Sequence, residues 1–271
     1  MSSTHANRPQ LLDPSKESAW SHHIKGSTRL VRHRTPARFA TDFEKALFVG
    51  HTGPVVSEAL LENQHCYLAE PEWTKLYLSL AQEGGWLTNR SMLSIKARMR
   101  MFTLPGLWRD MHYAVLGDDL FNPLVMSDLE KRMRVEHTAL LEWTEEYKAH
   151  CVRMSFAYPP ESELSLRREL FGSALECLAI VKRLLAAVCE SERFKLESEA
   201  QALAHLLVDL QKQPSPKHSW LFSGHEIGVA HTIMITEKEW DEDLSDRTIE
   251  EQLLASRARY DAFQSTLRMS D

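Results

Sequence analysis

Residues 20–73 read W-S-H-H-I-K-G-S-T-R-L-V-R-H-R-T-P-A-R-F-A-T-D-F-E-K-A-L-F-V-G-H-T-G-P-V-V-S-E-A-L-L-E-N-Q-H-C-Y-L-A-E-P-E-W. Trp20, Ile24 and Leu30 or Val31 fall at helical spacing, with Lys25, Arg29 and Arg32 between them, which predicts an amphipathic helix. Pro36 ends it, because the residue before a proline is driven out of the helical region. Thr41 and Glu44 form a T-x-x-E capping box in front of Phe43, Ala46, Leu47 and Val49. Gly50 and Gly53 are expected to close that short helix. Pro54 is expected to open a new one over Val55, Ala59 and Leu60. Pro71 repeats the signal, with Trp73, Leu76, Tyr77 and Leu80 as the next apolar stripe.

The same grammar continues outward in both directions. Residues 1–18 are polar, with Pro9 and Pro14, and are expected to be a disordered lead-in. Gly84–Gly85 is expected to end the Pro71 helix. Ser91 is a candidate cap for Met92, Ile95, Met99 and Phe102, and Pro105–Gly106 is expected to break that helix before a short one ending at Gly117. Pro123 opens the longest pattern, Met126, Leu129, Met133, Leu140, Trp143, Tyr147, Cys151 and Met154, with His137 in an otherwise apolar slot. Pro159–Pro160 ends it. Ser162 is read as the cap of a helix through Leu170, Ala174, Leu178, Val181, Leu185 and Val188. Ala200, Leu203, Leu207 and Leu210 mark another helix, which stops at Pro214 and Pro216. Residues 218–235 suit a helix through Trp220, Ile227, Ala230 and Met234. Gly224 and Gly228 weaken it by ~1 kcal/mol each, but their spacing allows a neighbouring helix to come close. A last helix is expected over 246–268, with Ile249, Leu253, Tyr260, Phe263 and Leu267 on one face. No Asn-Gly or Asp-Gly hairpin and no sustained period-two alternation is present. The prediction is an all-α fold of eight to ten helices packed as antiparallel pairs, in a single domain over 19–271.

Composition narrows the class. A chain of 271 residues, 43% apolar and 26% charged, can bury one substantial core. The net charge of −6 argues against a chain that binds nucleic acid along its length. Residues 1–40 carry seven Lys/Arg against Asp13 and Glu17, a net of +5 that leaves −11 for the other 231. The cysteines, Cys66, Cys151, Cys177 and Cys189, are scattered and read as small apolar residues in a reducing compartment. There is no N-terminal apolar signal, and no run approaches the ~18 apolar residues of a membrane span, so an intracellular protein is expected.

The order of these signals also carries a likeness. His23, Lys25, Gly26, Leu30, Pro36, Arg38 and Phe39 are followed by Phe43, Ala46, Leu47 and Phe48, and then by Gly53, Pro54, Glu58, Ala59, Leu60 and Leu61. Pro71 and Trp73 come next, with a weaker continuation at Pro105–Trp108. Over Trp20–Trp108 this resembles the regulatory region of fungal binuclear zinc-cluster transcription factors, the fungal-specific transcription factor domain. The resemblance implies nuclear residence, a part in transcription regulation, and contacts with other transcription-regulatory proteins or a small-molecule inducer. A binuclear cluster needs six closely spaced cysteines to share two zinc ions. The four here include no C-x-x-C, so no zinc ligand is assigned and no sequence-specific DNA binding is expected from these residues. The chain then reads as a truncated relative or a piece of a longer zinc-cluster protein.

No catalytic, cofactor-binding or metal residue is assigned, and the chain is not expected to be an enzyme. His22–His23 diverge on a helix, His225 and His231 are badly spaced to share a metal, and His137 reads as a hydrogen-bonded packing residue. The alternative from another class is an all-α magnesium-dependent enzyme of the terpenoid synthase type, with Asp118–Asp119 and the run Asp241-Glu242-Asp243 as its carboxylates. Acids before the Pro123 helix are better read as favouring its dipole. The acidic stretch 236–246, with Trp240 and Leu244, could be an activation segment but reads better as a solvated loop. Arg29–Arg38 reads as the wet face of its helix rather than a phosphate contact or import signal. A bare protein-interaction scaffold is the third alternative.

Overall fold

The computed structural model describes residues 14–117, 122–155, 158–213, 223–241, 243–244 and 246–270. Among them helices are the regular secondary structure, and the fold is all-α. The helices are α1 (Pro14–Arg34), α2 (Asp42–Leu61), α3 (Pro71–Ser79), α4 (Met92–Leu116), α5 (Pro123–Arg153), α6 (Glu161–Val188), α7 (Arg193–Lys212), α8 (Ser223–Ile235), α9 (Glu237–Trp240) and α10 (Ile249–Ser270). α1 starts at Pro14, so the end of the expected lead-in is helical. Contacts divide the chain into two units, residues 1–58 and 59–271.

The first unit is built from α1 and the start of α2. Ser21 Oγ donates to Glu58 Oε1 at 2.6 Å, and Lys25 Nζ lies 3.4 Å from the same oxygen. One turn of α1 thus holds a buried carboxylate of α2. Phe39 and Phe48 are buried with ring centres 5.2 Å apart. The capping box forms as expected: Thr41 N–H donates to Glu44 Oε2 at 2.9 Å and Glu44 N–H to Thr41 Oγ1 at 3.3 Å. Val55 and Ala59 are buried as expected, together with Phe48, Thr52 and Val56, whereas Phe43 and Leu47 are exposed, and on α1 Leu30 faces solvent.

A larger correction concerns the interior prolines. Gly50, Gly53 and Pro54 do not divide α2, and Pro105–Gly106 does not divide α4. Each helix continues through its proline, and each has a threonine two residues earlier that bonds back to its own helix. Thr52, two residues before Pro54, donates its hydroxyl to the Val49 carbonyl at 2.7 Å; Thr103, two before Pro105, donates to Arg100 at 2.8 Å. An interior proline costs about 3 kcal/mol. Burying a large side chain returns about 1.5–3 kcal/mol. α4 buries Ile95 and Phe102 before its proline and Leu107, Trp108 and Met111 after it, so continuity wins.

The second unit is organised around α6. From Gly172 to Ala187 every residue of this helix is buried, and it packs on α4, α5, α7, α8 and α10. A helix covered on all sides is a core element, not the one-faced helix its leucine spacing implied. It begins at Glu161 after Pro160, so Ser162 lies in its first turn and is not its cap. α5 starts as expected, with Asn122 Oδ1 accepting from Leu124 N–H at 3.1 Å in front of Pro123. Ser91 stands at the α4 cap position, but its hydroxyl donates to the Thr88 carbonyl instead. α3 ends at Ser79, ahead of Gly84–Gly85, because Arg90 takes the Leu80 carbonyl at 3.1 Å and turns the chain out of the helix. α10 starts at Ile249 behind a second capping box, Thr248–Glu251. Its Tyr260 and Phe263 meet Trp108 of α4 at 5.9 and 5.6 Å. A side cluster stacks Trp143, Tyr147 and Phe171, each ring 5.2 Å from the next. Of the expected 218–235 helix, residues 223–235 form α8 and Trp220 lies outside the described residues. Gly228 is buried, and α8 packs on α7.

Candidate functional site

Most charge inside the second unit is structural. Arg183, fully buried, donates to Glu197 Oε1 at 2.6 Å, to the Ile233 carbonyl at 2.7 Å and to Thr236 Oγ1 at 3.0 Å. Its guanidinium also lies 4.5 Å from the Trp240 ring centre. Burial pushes the Glu197 carboxyl up and the Arg183 guanidinium down to about 10, each opposed by the other's charge. Beside this pair, Arg193 donates to the Trp240 carbonyl and to Glu190 Oε1 at 2.9 Å, and Arg259 reaches Glu190 Oε2 at 3.1 Å. In the acidic stretch 236–246 the described acids are exposed, as expected of a solvated segment, but its apolar residues are not. Trp240 and Leu244 are buried, and Glu237–Trp240 is a helical turn. A coactivator could not take Trp240 without opening the core.

His137 has the hydrogen bond expected of a packing residue. Its Nε2 lies 2.9 Å from Lys182 Nζ, which also meets Glu199 Oε2 at 2.5 Å. Burial, and then the Lys182 charge, lower its pKa below 6.5, so at neutral pH the ring is an uncharged acceptor. His22, His23 and His231 are exposed, and the His225 side chain lies outside the described residues. Asp118, Asp119 and Glu242 also lie outside them, while Asp241 and Asp243 are exposed. Among the described residues no group of three or more His, Cys, Asp or Glu is placed to hold a metal ion. Arg29, Arg32, Arg34 and Arg38 are exposed, and Arg34 pairs with Glu44.

Polar groups of the described residues converge on a cleft of about 500 Å³ between α4 and α5. One face of α4 supplies Arg109, Asp110 and Tyr113, and one face of α5 supplies Leu124, Val125 and Arg132. Asp110 joins the two arginines: Arg132 Nη2 donates to Oδ2 at 2.8 Å, and Arg109 Nη1 is 3.4 Å from Oδ1. Arg109 is fixed from two other sides. Its Nη1 lies 2.5 Å from His65 Nε2, which is also 3.4 Å from Asp110 Oδ1, and its guanidinium lies 5.1 Å from the Tyr113 ring centre. The His65 ring can approach because residue 106 is glycine; a Cβ there would stand 3.0 Å from His65 Nδ1. Sequence reasoning missed this site. Arg109–Asp110 and Arg132 lie 22 positions apart, and only the α4–α5 pairing joins them. Pro105–Trp108 was noticed as a motif, but its glycine serves the histidine that steadies Arg109.

No family model matches the chain, and no solved structure matches it. The chain is similar to an uncharacterized protein of Emericella nidulans, 27% identical over 96 residues. The match takes in 34% of this chain and spans only 21% of the length of that relative. Among the described residues no helix is long and apolar enough to cross a membrane.

Proposed function

We propose that the chain is a non-enzymatic transcription-regulatory protein of the nucleus, similar to the helical regulatory region of fungal zinc-cluster activators. It acts through other regulatory proteins or a small-molecule inducer, with no sequence-specific DNA binding expected from these residues. The observation that supports this reading is what the motif residues do. Lys25 and Glu58 are an ion pair, Phe39 and Phe48 pack ring to ring, and Pro54 sits inside a continuous helix. These positions act as packing contacts, as a regulatory scaffold requires. A partial match to a fungal protein is compatible with the same reading.

The test is to fuse the full chain to a heterologous DNA-binding domain and read a reporter in a fungal host, with a fluorescent tag for location. Reporter output changed severalfold in either direction and nuclear fluorescence are expected. A silent reporter with nuclear exclusion would leave the bare scaffold, and turnover of a prenyl diphosphate with magnesium, lost in D118N/D119N, would establish the enzyme.

A further inference from the structure

We propose that the cleft between α4 and α5 binds a small monocarboxylic acid with a short apolar body. The inference deepens the reading above, in which a small-molecule inducer acts on the protein, and gives that inducer a site and a chemistry. Arg109 and Arg132 are held side by side by one carboxylate, Asp110, yet neither is used up by it. A guanidinium carries five N–H donors. Among the described residues no acceptor engages Nε or Nη2 of Arg109, or Nε of Arg132. The two side chains are 36% and 42% exposed, so these donors are within reach of a ligand. This is the geometry in which a planar carboxylate is gripped by paired N–H groups.

The rest of the cleft selects what lies behind the head group. Leu124 and Val125 form an apolar wall, and the volume of about 500 Å³ falls in the range of small-molecule sites. The lining carries two arginines and two aspartates, so a single negative head is opposed less than a double one. Asp110 stands between the arginines, and Asp128 lies 3.8 Å from Arg132 while 69% exposed. A phosphate, with close to two charges, would face both acids; a carboxylate adds one charge and can lie in the plane of the Arg132 fork. Arg109 is prepared for this role before any ligand arrives. His65 on one side and Tyr113 on the other restrict its rotamers, which lowers the cost of ordering it on binding.

The experiment titrates the purified full chain with hexanoate and follows arginine side-chain Nε–H resonances by NMR, with hexanol, hexylamine and hexyl phosphate as parallel probes. Saturable shifts of two arginine signals by hexanoate are expected, with weaker response to hexyl phosphate and none to hexanol or hexylamine. Arg132→Gln should weaken hexanoate about tenfold, and Arg132→Lys should also weaken it because a point charge replaces the fork. Leu124 is 81% exposed, so Leu124→Asp should fold normally and still lose about tenfold through like charge. Hexanol equal to hexanoate, preference for hexylamine or hexyl phosphate, or native binding by both Arg132→Gln and Leu124→Asp would each overturn the proposal. Binding is read without a promoter. A silent reporter with intact hexanoate binding removes the transcriptional reading alone, and an active reporter with no binding removes the cleft alone.

Discussion

Arg183 and Arg132 each reach a carboxylate on another helix, at 2.6 and 2.8 Å, in settings that share nothing else. The Arg183–Glu197 pair is 0% and 2% exposed; the Arg132–Asp110 pair is 42% and 24% exposed. Removing two charges from water costs several kcal/mol per ion, which only close partners on every side can offset. Arg183 has those partners in Ile233, Thr236 and Trp240, and the result is a fixed joint between α6, α7 and α8. Arg132 keeps its hydration and its unused donors. Contact distance does not separate a structural ion pair from an available one; desolvation does.

The comparison can be broken most directly at the buried pair. Arg183→Leu leaves the Glu197 carboxylate in the core with Gln201 as its remaining side-chain donor, at 2.7 Å. The variant should lose about 3–5 kcal/mol in urea unfolding, and the Arg183→Leu/Glu197→Leu double variant should recover much of that loss. A loss below about 1 kcal/mol in the single variant would make the pair no different from a surface one.

His137 sharpens the contrast at an intermediate depth. Its folded pKa lies below 6.5, so above that pH the ring is neutral in both folded and unfolded chains and contributes no pH dependence. As pH falls through 6.5 the unfolded chain takes up the proton first. Stability therefore drops, and continues to drop until the folded-state pKa is reached. His51 has the same sign, from burial. His137→Gln keeps an acceptor for Lys182, so its unfolding midpoint should change less between pH 7.5 and 5.5 on the order of a single titration than the native midpoint does. An unchanged slope would place the pH dependence elsewhere. The smallest effect belongs to the cleft. Asp110→Asn should cost no more than about 1 kcal/mol in the same urea assay, because its partners are exposed. A larger loss would mean that the cleft pair is a structural joint like the buried one.

The α-class was legible because the hydrophobic period, the prolines and the capping boxes are local signals that tertiary packing left intact. Asn122–Pro123 and Thr41–Glu44 behave as their sequence says. Pro54 and Pro105 did not, because whether a proline stops a helix depends on what is buried on both sides of it, and that is not written nearby. The burial of Glu176, Lys182 and Arg183 was equally hidden. Lys182 and Arg183 look like the wet face of α6 until α7 and α8 bring Glu199, Glu197 and Ile233 to meet them. The cleft was invisible for a similar reason. Nothing in the spacing of Arg109 and Arg132 announces a shared carboxylate.

The position of α6 has a consequence for biosynthesis. Three of the five helices that cover it lie downstream, in α7, α8 and α10. A ribosome that has finished Val188 has made the helix that ends up buried on every side and none of those three covers. Until the C-terminal remainder is released, that surface is open to chaperones and to neighbouring nascent chains. Premature stop codons after α6 should accordingly give aggregates rather than a smaller working protein.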